Sequence, residues 1–134
     1  MAKQDSIYAS AQDAELIKTV ALPDGATTDV TASIPKPKGI VEFSAMIDIP
    51  VLTTTELPDA STITILIKSG TDDSTFGRTL GTFVVTGAGG AGLATAFHDA
   101  VRLSDNDDEY MRAEFTGVAA TLSATKTGTF SIGY

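Results

Sequence analysis

Gly87, Gly89 and Gly92 in TGAGGAG (86–92) satisfy G-x-G-x-x-G. With that spacing a tight turn can present backbone amides to a dinucleotide pyrophosphate. GTFVVT before it reads as a strand, and LATAFHDAVRLS after it carries Leu93, Phe97 and Val101 at helical spacing. The acidic run DNDDE (105–109) lies where a ribose-binding carboxylate would be sought. The surroundings oppose this chemistry. A dinucleotide site needs a parallel strand–helix–strand unit, and the residues after the motif read as antiparallel strands with no second crossover. DNDDE also falls in a turn before a strand, whereas the ribose carboxylate belongs at a strand's end.

Two other groups have residue types suited to catalysis or metal binding. Asp105, Asp107 and Glu109 alternate as the first three ligands of a calcium loop do, but Tyr110 occupies the required glycine position. Thr116 stands where that loop's bidentate glutamate belongs, so a solvated acidic turn is expected, and likewise for Asp72-Asp73. His98 is the sole histidine. As a general base it needs a nucleophile and an orienting acid, and in a strand its neighbour Asp99 points to the opposite face. No G-x-S-x-G elbow is present. No catalytic residue, metal ligand or cofactor is assigned, and the chain is expected not to be an enzyme.

The elements that must position these residues have a period of two. In GIVEFSAMIDI (39–49), Val41, Phe43, Ala45, Ile47 and Ile49 share one face. In STITILIK (61–68), Ile63, Ile65 and Ile67 alternate with polar residues, and in EYMRAEF so do Met111, Ala113 and Phe115. RTLGTFVVT and the terminal TGTFSIGY add β-branched and aromatic residues. LPDGATT (22–28), IPKPKG (34–39) and KSGTDDSTFG (68–77) supply turn chemistry between these runs. AQDAELIK (11–18) is a marginal helix candidate, and ELIKTVAL (15–22) reads equally well as a first strand. The sequence therefore predicts a single all-β domain over 1–134, an antiparallel jelly roll or β-sandwich, with a flexible N-terminal arm over 1–14.

Composition narrows the function classes. The chain has 134 residues, 43% hydrophobic and 19% charged, with net charge −8 and no cysteine. Lys36 and Lys38, in a proline-rich loop, form the densest basic spot, which is no phosphate-binding patch. Nucleic acid is not an expected partner. No run approaches the roughly 18 apolar residues of a membrane span, and the N-terminus has no apolar core of an export signal. Synthesis in a cytoplasm and no membrane association are expected. A carbohydrate-binding β-sandwich remains an alternative, although tryptophan is absent and aromatics are only 7%.

From about Ile40 onward the chain resembles the capsid cement, or decoration, proteins of certain tailed bacteriophages, of the type on the podovirus-like head of a Bordetella phage. The resemblance rests on Leu66 to Ser69, Phe76, Leu80-Gly81-Thr82, the Val85 to Gly92 loop, Arg102-Leu103, Tyr110 and Arg112. At the N-terminus only SAQDAEL contributes, and Ser104 stands where the family pattern often has proline. The resemblance implies a jelly-roll-like fold and homo-oligomers on the outer surface of the virion capsid, dimers first and trimers as the alternative. It further implies non-covalent clamping of neighbouring major capsid protein subunits. Lys36, Lys38, Gly87, Gly89, Gly90 and Gly92 are the candidate capsid- or subunit-contact residues.

Overall fold

The architecture was analysed in a computed structural model that describes residues 16–36, 42–104, 108–118 and 126–133. Nine strands are present among them. They are β1 (Ile17–Ala21), β2 (Thr28–Val30), β3 (Ile34–Pro35), β4 (Glu42–Ile49) and β5 (Thr62–Gly70). The rest are β6 (Arg78–Thr86), β7 (Phe97–Ser104), β8 (Tyr110–Gly117) and β9 (Thr127–Gly133). One sheet has the order β1-β9-β4-β7 and the other β2-β8-β5-β6, with β3 also on β8. Every strand pairing is antiparallel. The chain is an all-β sandwich, as the alternation predicts. The expected arm over 1–14 lies outside the described residues.

Period-two patterning explains the layers. Phe43, Ala45, Ile47 and Ile49 of β4 and Phe130 and Ile132 of β9 point inward from the first sheet. Ile63, Ile65 and Ile67 of β5 meet them from the second, with Met111, Ala113 and Phe115 of β8. Phe115 reaches across to the opposite sheet at Gly128. A Cβ on Gly128 would lie 2.8 Å from the Phe115 ring and 3.0 Å from Leu22 Cδ2. Gly128 thus gives the ring room to rest on the β9 backbone, which fixes the local sheet separation.

Two local readings resolve differently from their sequence patterns. Leu93, Phe97 and Val101 suggest a helix, yet residues 97–104 form β7, registered along β4 from Ile49↔Phe97 to Glu42↔Ser104. Residues four apart share a face in both a helix and a strand, so the spacing does not discriminate. Of the helix candidate at 11–18, Ile17 and Lys18 lie in β1, whereas residues 11–15 are outside the described part. Two short strands are also hidden in segments read as turns. Thr28 at the end of LPDGATT opens β2, and Ile34-Pro35 at the start of IPKPKG form β3.

Replacing Gly128 with alanine is expected to cost about 1–3 kcal/mol by overpacking, seen as a lower urea midpoint with an unchanged slope. A Gly77→Ala control, where an added Cβ meets nothing within 4 Å, should leave the midpoint in place.

Candidate interaction surface

The glycine loop leaves β6 in one sheet and enters β7 in the other, so it bridges the layers instead of closing a hairpin. Gly89, Gly90 and Gly92 have φ of +67°, +65° and +67°, which glycine adopts without strain. Gly87 and Gly92 are packed against the backbone of the preceding loop. A Cβ on Gly87 would be 2.4 Å from the Pro58 carbonyl oxygen, and one on Gly92 2.5 Å from that of Leu52. The Gly90 amide donates to both carboxylate oxygens of Asp59, at 3.0 and 3.1 Å. An amide of the apparent phosphate cradle therefore already holds an anion of its own chain. No helix follows it to add a dipole.

The preceding loop is itself braced. Thr53 and Glu56 form a reciprocal cap, with the Glu56 amide donating to Thr53 Oγ1 at 3.2 Å. The Thr53 amide returns a bond to Glu56 Oε1 at 2.9 Å, and Lys126 Nζ reaches the same oxygen at 3.1 Å.

The contact candidates chosen from sequence do not converge. Gly89 and Gly90 are exposed, whereas Gly87 and Gly92 are buried against their own chain. Lys36 follows β3, beside Tyr110 and the far end of β5, where its amide donates to the Glu109 carbonyl at 2.8 Å. The glycine loop joins the near end of β5 through Gly87, whose amide donates to the Ser61 carbonyl at 3.0 Å. Strand β5 separates the two groups by about 27 Å at the usual rise per residue. Lys38 lies outside the described residues.

His98 finds its acid across the sheet. Its Nδ1 is hydrogen-bonded to the carboxylate of Asp48, its register partner on β4. Asp99, its chain neighbour, accepts from the Ala100 amide at 2.8 Å. The pair borders an open depression of about 320 Å³ that Pro50, Phe97, Thr127 and Thr129 also line. A nucleophilic triad needs the base between nucleophile and acid. Here Thr129 registers with Asp48 on the far side from His98, so the acid is in the middle. The row is not arranged for acyl transfer.

The acidic turns are mostly engaged by local hydrogen bonds. Asp72 accepts from the Ser74 hydroxyl and amide and from the Thr75 amide, each at 2.8 Å. These bonds, the Ser74 hydroxyl first, hold its carboxyl below the usual range. The Asp73 carboxylate accepts from the Ser33 hydroxyl. Asp108 departs from the expected solvated turn. It is buried, accepts from Ser69 Oγ at 2.5 Å and meets Arg78 Nε at 3.3 Å. Asp105 and Asp107 lie outside the described residues. Among the described residues no three acidic, histidine or cysteine side chains gather as a metal site would require.

The outer face of the second sheet is a different kind of surface. Its cross-strand rows are Val30–Glu114–Leu66–Thr82 and Thr28–Thr116–Thr64–Val84, followed by Thr62–Thr86. Thr28 and Thr116 share a hydroxyl hydrogen bond of 2.8 Å. Glu114 receives Arg112 at 2.9 and 3.2 Å and Lys68 Nζ at 3.7 Å, while the Arg112 guanidinium lies 4.3 Å over the Phe76 ring. A shallow cleft of about 320 Å³ opens at this end between Ser33, Asp73, Phe76 and Arg112. The face is rich in threonine and aliphatic groups, and Lys68, Arg112 and Glu114 are paired within it. It also gathers Leu66, Lys68, Phe76, Thr82, Tyr110 and Arg112, which are dispersed along the sequence.

No family model matches the chain, and no curated protein does. Among solved structures, it is similar to the VP2 subviral particle of infectious bursal disease virus, at 15% identity and TM-score 0.47 over 87% of this chain and 29% of that one. It is also similar to the Gt strain of that virus, at 15% identity and TM-score 0.38 over 92% of this chain and 29% of that one. A structure of CBM4 aligns at 16% identity and TM-score 0.43, over 86% of this chain and 66% of that one. The chain thus spans less than a third of the viral chains and about two thirds of the CBM4 chain. At these scores the likenesses assign no function.

Substituting Ser74 with alanine should raise the Asp72 pKa toward the ordinary aspartate value of 3.8, as followed by carboxyl NMR during acid titration. Because the folded-state value is depressed, the Asp72 contribution to stability is present above that value. It is lost as pH falls through the folded one. An unmoved Asp72 titration would mean that the hydroxyl does not govern it. Replacing Asp59 with alanine should speed amide exchange across Gly89–Gly92 by about tenfold, the loss of one charge-assisted bond.

Proposed function

We propose that this chain is a capsid cement protein: it binds the outside of an assembled tailed-phage head and bridges neighbouring major capsid protein subunits. The observation that carries the reading is the outer face of the second sheet, where six residues of the family resemblance, Leu66, Lys68, Phe76, Thr82, Tyr110 and Arg112, lie together. Such a face binds with little ordering cost, because its side chains stand on paired strands. Preferential binding to the expanded shell stabilises that state by mass action, and no active site is required. Many equivalent sites per shell allow a modest affinity per copy.

A carbohydrate-binding module instead presents exposed aromatic rings for sugar stacking. On this face Tyr110 is half-buried and the most accessible large apolar side chain is Val84, which favours a protein partner.

Purified protein added to undecorated, expanded heads is expected to give stoichiometric outer density in cryo-electron microscopy. Leu66→Lys, on the same face, should reduce occupancy by about tenfold or more while the circular dichroism spectrum is retained. Bare shells at saturating wild-type protein would refute cementing. Full occupancy by the Leu66→Lys variant would move the contact to another face.

A further inference from the structure

Among the described residues the two sheets have four edges, and three carry a device that discourages pairing with another strand. On β1 the inward row includes Lys18, the register partner of buried Phe130, so a charge points toward the core edge. On β7 the inward row includes Asp99, opposite buried Ile47. At the β8 side, β2 and β3 have only three and two residues, and β3 ends in Pro35. Inward charges, short strands and proline are the usual protections of a sheet edge.

Strand β6 is the exception. It is the terminal strand of its sheet and pairs only with β5 among the described residues. Its irregularity is confined to the start, where the register shifts beside Leu80. From Gly81 to Thr86 it is regular, with neither charge nor proline. It belongs to the longest uncharged interval of the sequence, between Arg78 and His98, in a chain of net charge −8. Val84 on this strand is 55% exposed, more than any other exposed large hydrophobic residue described. Strand β7 touches β6 through the edge-to-face contact of Phe83 with Phe97, at 6.0 Å between ring centres, without pairing to it.

We infer that β6 pairs antiparallel with β6 of a second copy, on a two-fold axis through Val84, joining the two β2-β8-β5-β6 sheets into one. The local sequence suits this register. About Val84, Thr82 faces Thr86 of the second copy and Phe83 faces Val85, so each outer-face pair is Val–Val or Thr–Thr. Such cross-strand pairs are favourable, and a two-fold contact requires a self-complementary patch. Charge supports the same occupant. Two copies of a chain at −8 repel, and this edge lets their backbones meet through an uncharged segment. The row Thr28–Thr116–Thr64–Val84 then continues into its symmetry mate. The inference concerns the free protein and stands whether or not the chain binds a capsid.

The chain has no cysteine, so one introduced thiol gives an unambiguous crosslink. Val84→Cys places two thiols at the axis and is expected to form a disulfide-linked dimer under mild oxidation. Val30→Cys, at the opposite edge of the same sheet, is expected to stay monomeric in the same gel. In sedimentation velocity at about 50 µM the wild type should run as a dimer, and Val84→Lys should weaken association by about tenfold or more. If Val84→Lys fails to fold, the near-isosteric cysteine variants decide alone. A monomeric wild type, or Val30→Cys linking as readily as Val84→Cys, would overturn the inference.

Discussion

The contact of the Phe115 ring with the backbone at Gly128 sets the rest of the molecule. It joins β8 in one sheet to β9 in the other so closely that a Cβ on Gly128 would lie 2.8 Å from the ring. Once Phe115 points inward, period-two geometry sends Glu114 and Thr116 outward, and their register partners Leu66 and Thr64 with them. A slip of one residue along β8 would exchange the core row for the threonine row. The outer face is therefore the complement of the core pattern, and its order is inherited from packing on the other side of the same strands.

Charge is distributed to suit this arrangement. Arg112 and Lys68 both serve Glu114, and Arg78 serves Asp108. The exposed partners contribute little stability, since solvent screens them. Asp108 differs, because it is buried and holds Ser69 as well. It ties the segment before β8 to the far end of β5, which keeps the Arg112 end of the face in place. At the opposite end, Asp59 performs a comparable task for the glycine loop through the Gly90 amide. Each end of the sandwich is thus fastened by a carboxylate from a distant part of the chain.

The fold was legible because alternation is written within single segments. Phe43 to Ile49, Ile63 to Ile67 and Met111 to Phe115 each declare a buried face without reference to any other strand. The short strands β2 and β3 were hidden, since three and two residues cannot show a period and their neighbours are turn formers. Much less of the site could be read. The partner of His98 is Asp48, that of Gly90 is Asp59 and that of Ser69 is Asp108, all set by register or loop packing between distant segments. Local spacing drew attention instead to G-x-G-x-x-G, whose glycines answer a steric need. The outer face was present in the sequence as the polar half of every alternation. Its extent emerged only when β2, β8, β5 and β6 were placed side by side.

The position of β9 bears on how the molecule is made. Strand β9 lies between β1 and β4, and these two have no pairing with each other. During synthesis β4 can pair with β7 before β9 emerges, whereas β1 must wait for β9 before it can join the first sheet. The second sheet can assemble sooner, from β5 and β6 and then β8. The first sheet is therefore completed last, and the apolar rows of the second stay incompletely covered until β9 arrives. Such late, long-range closure slows folding. The waiting sheet, with Ile63, Ile65 and Ile67 incompletely covered, is the species a chaperone would meet.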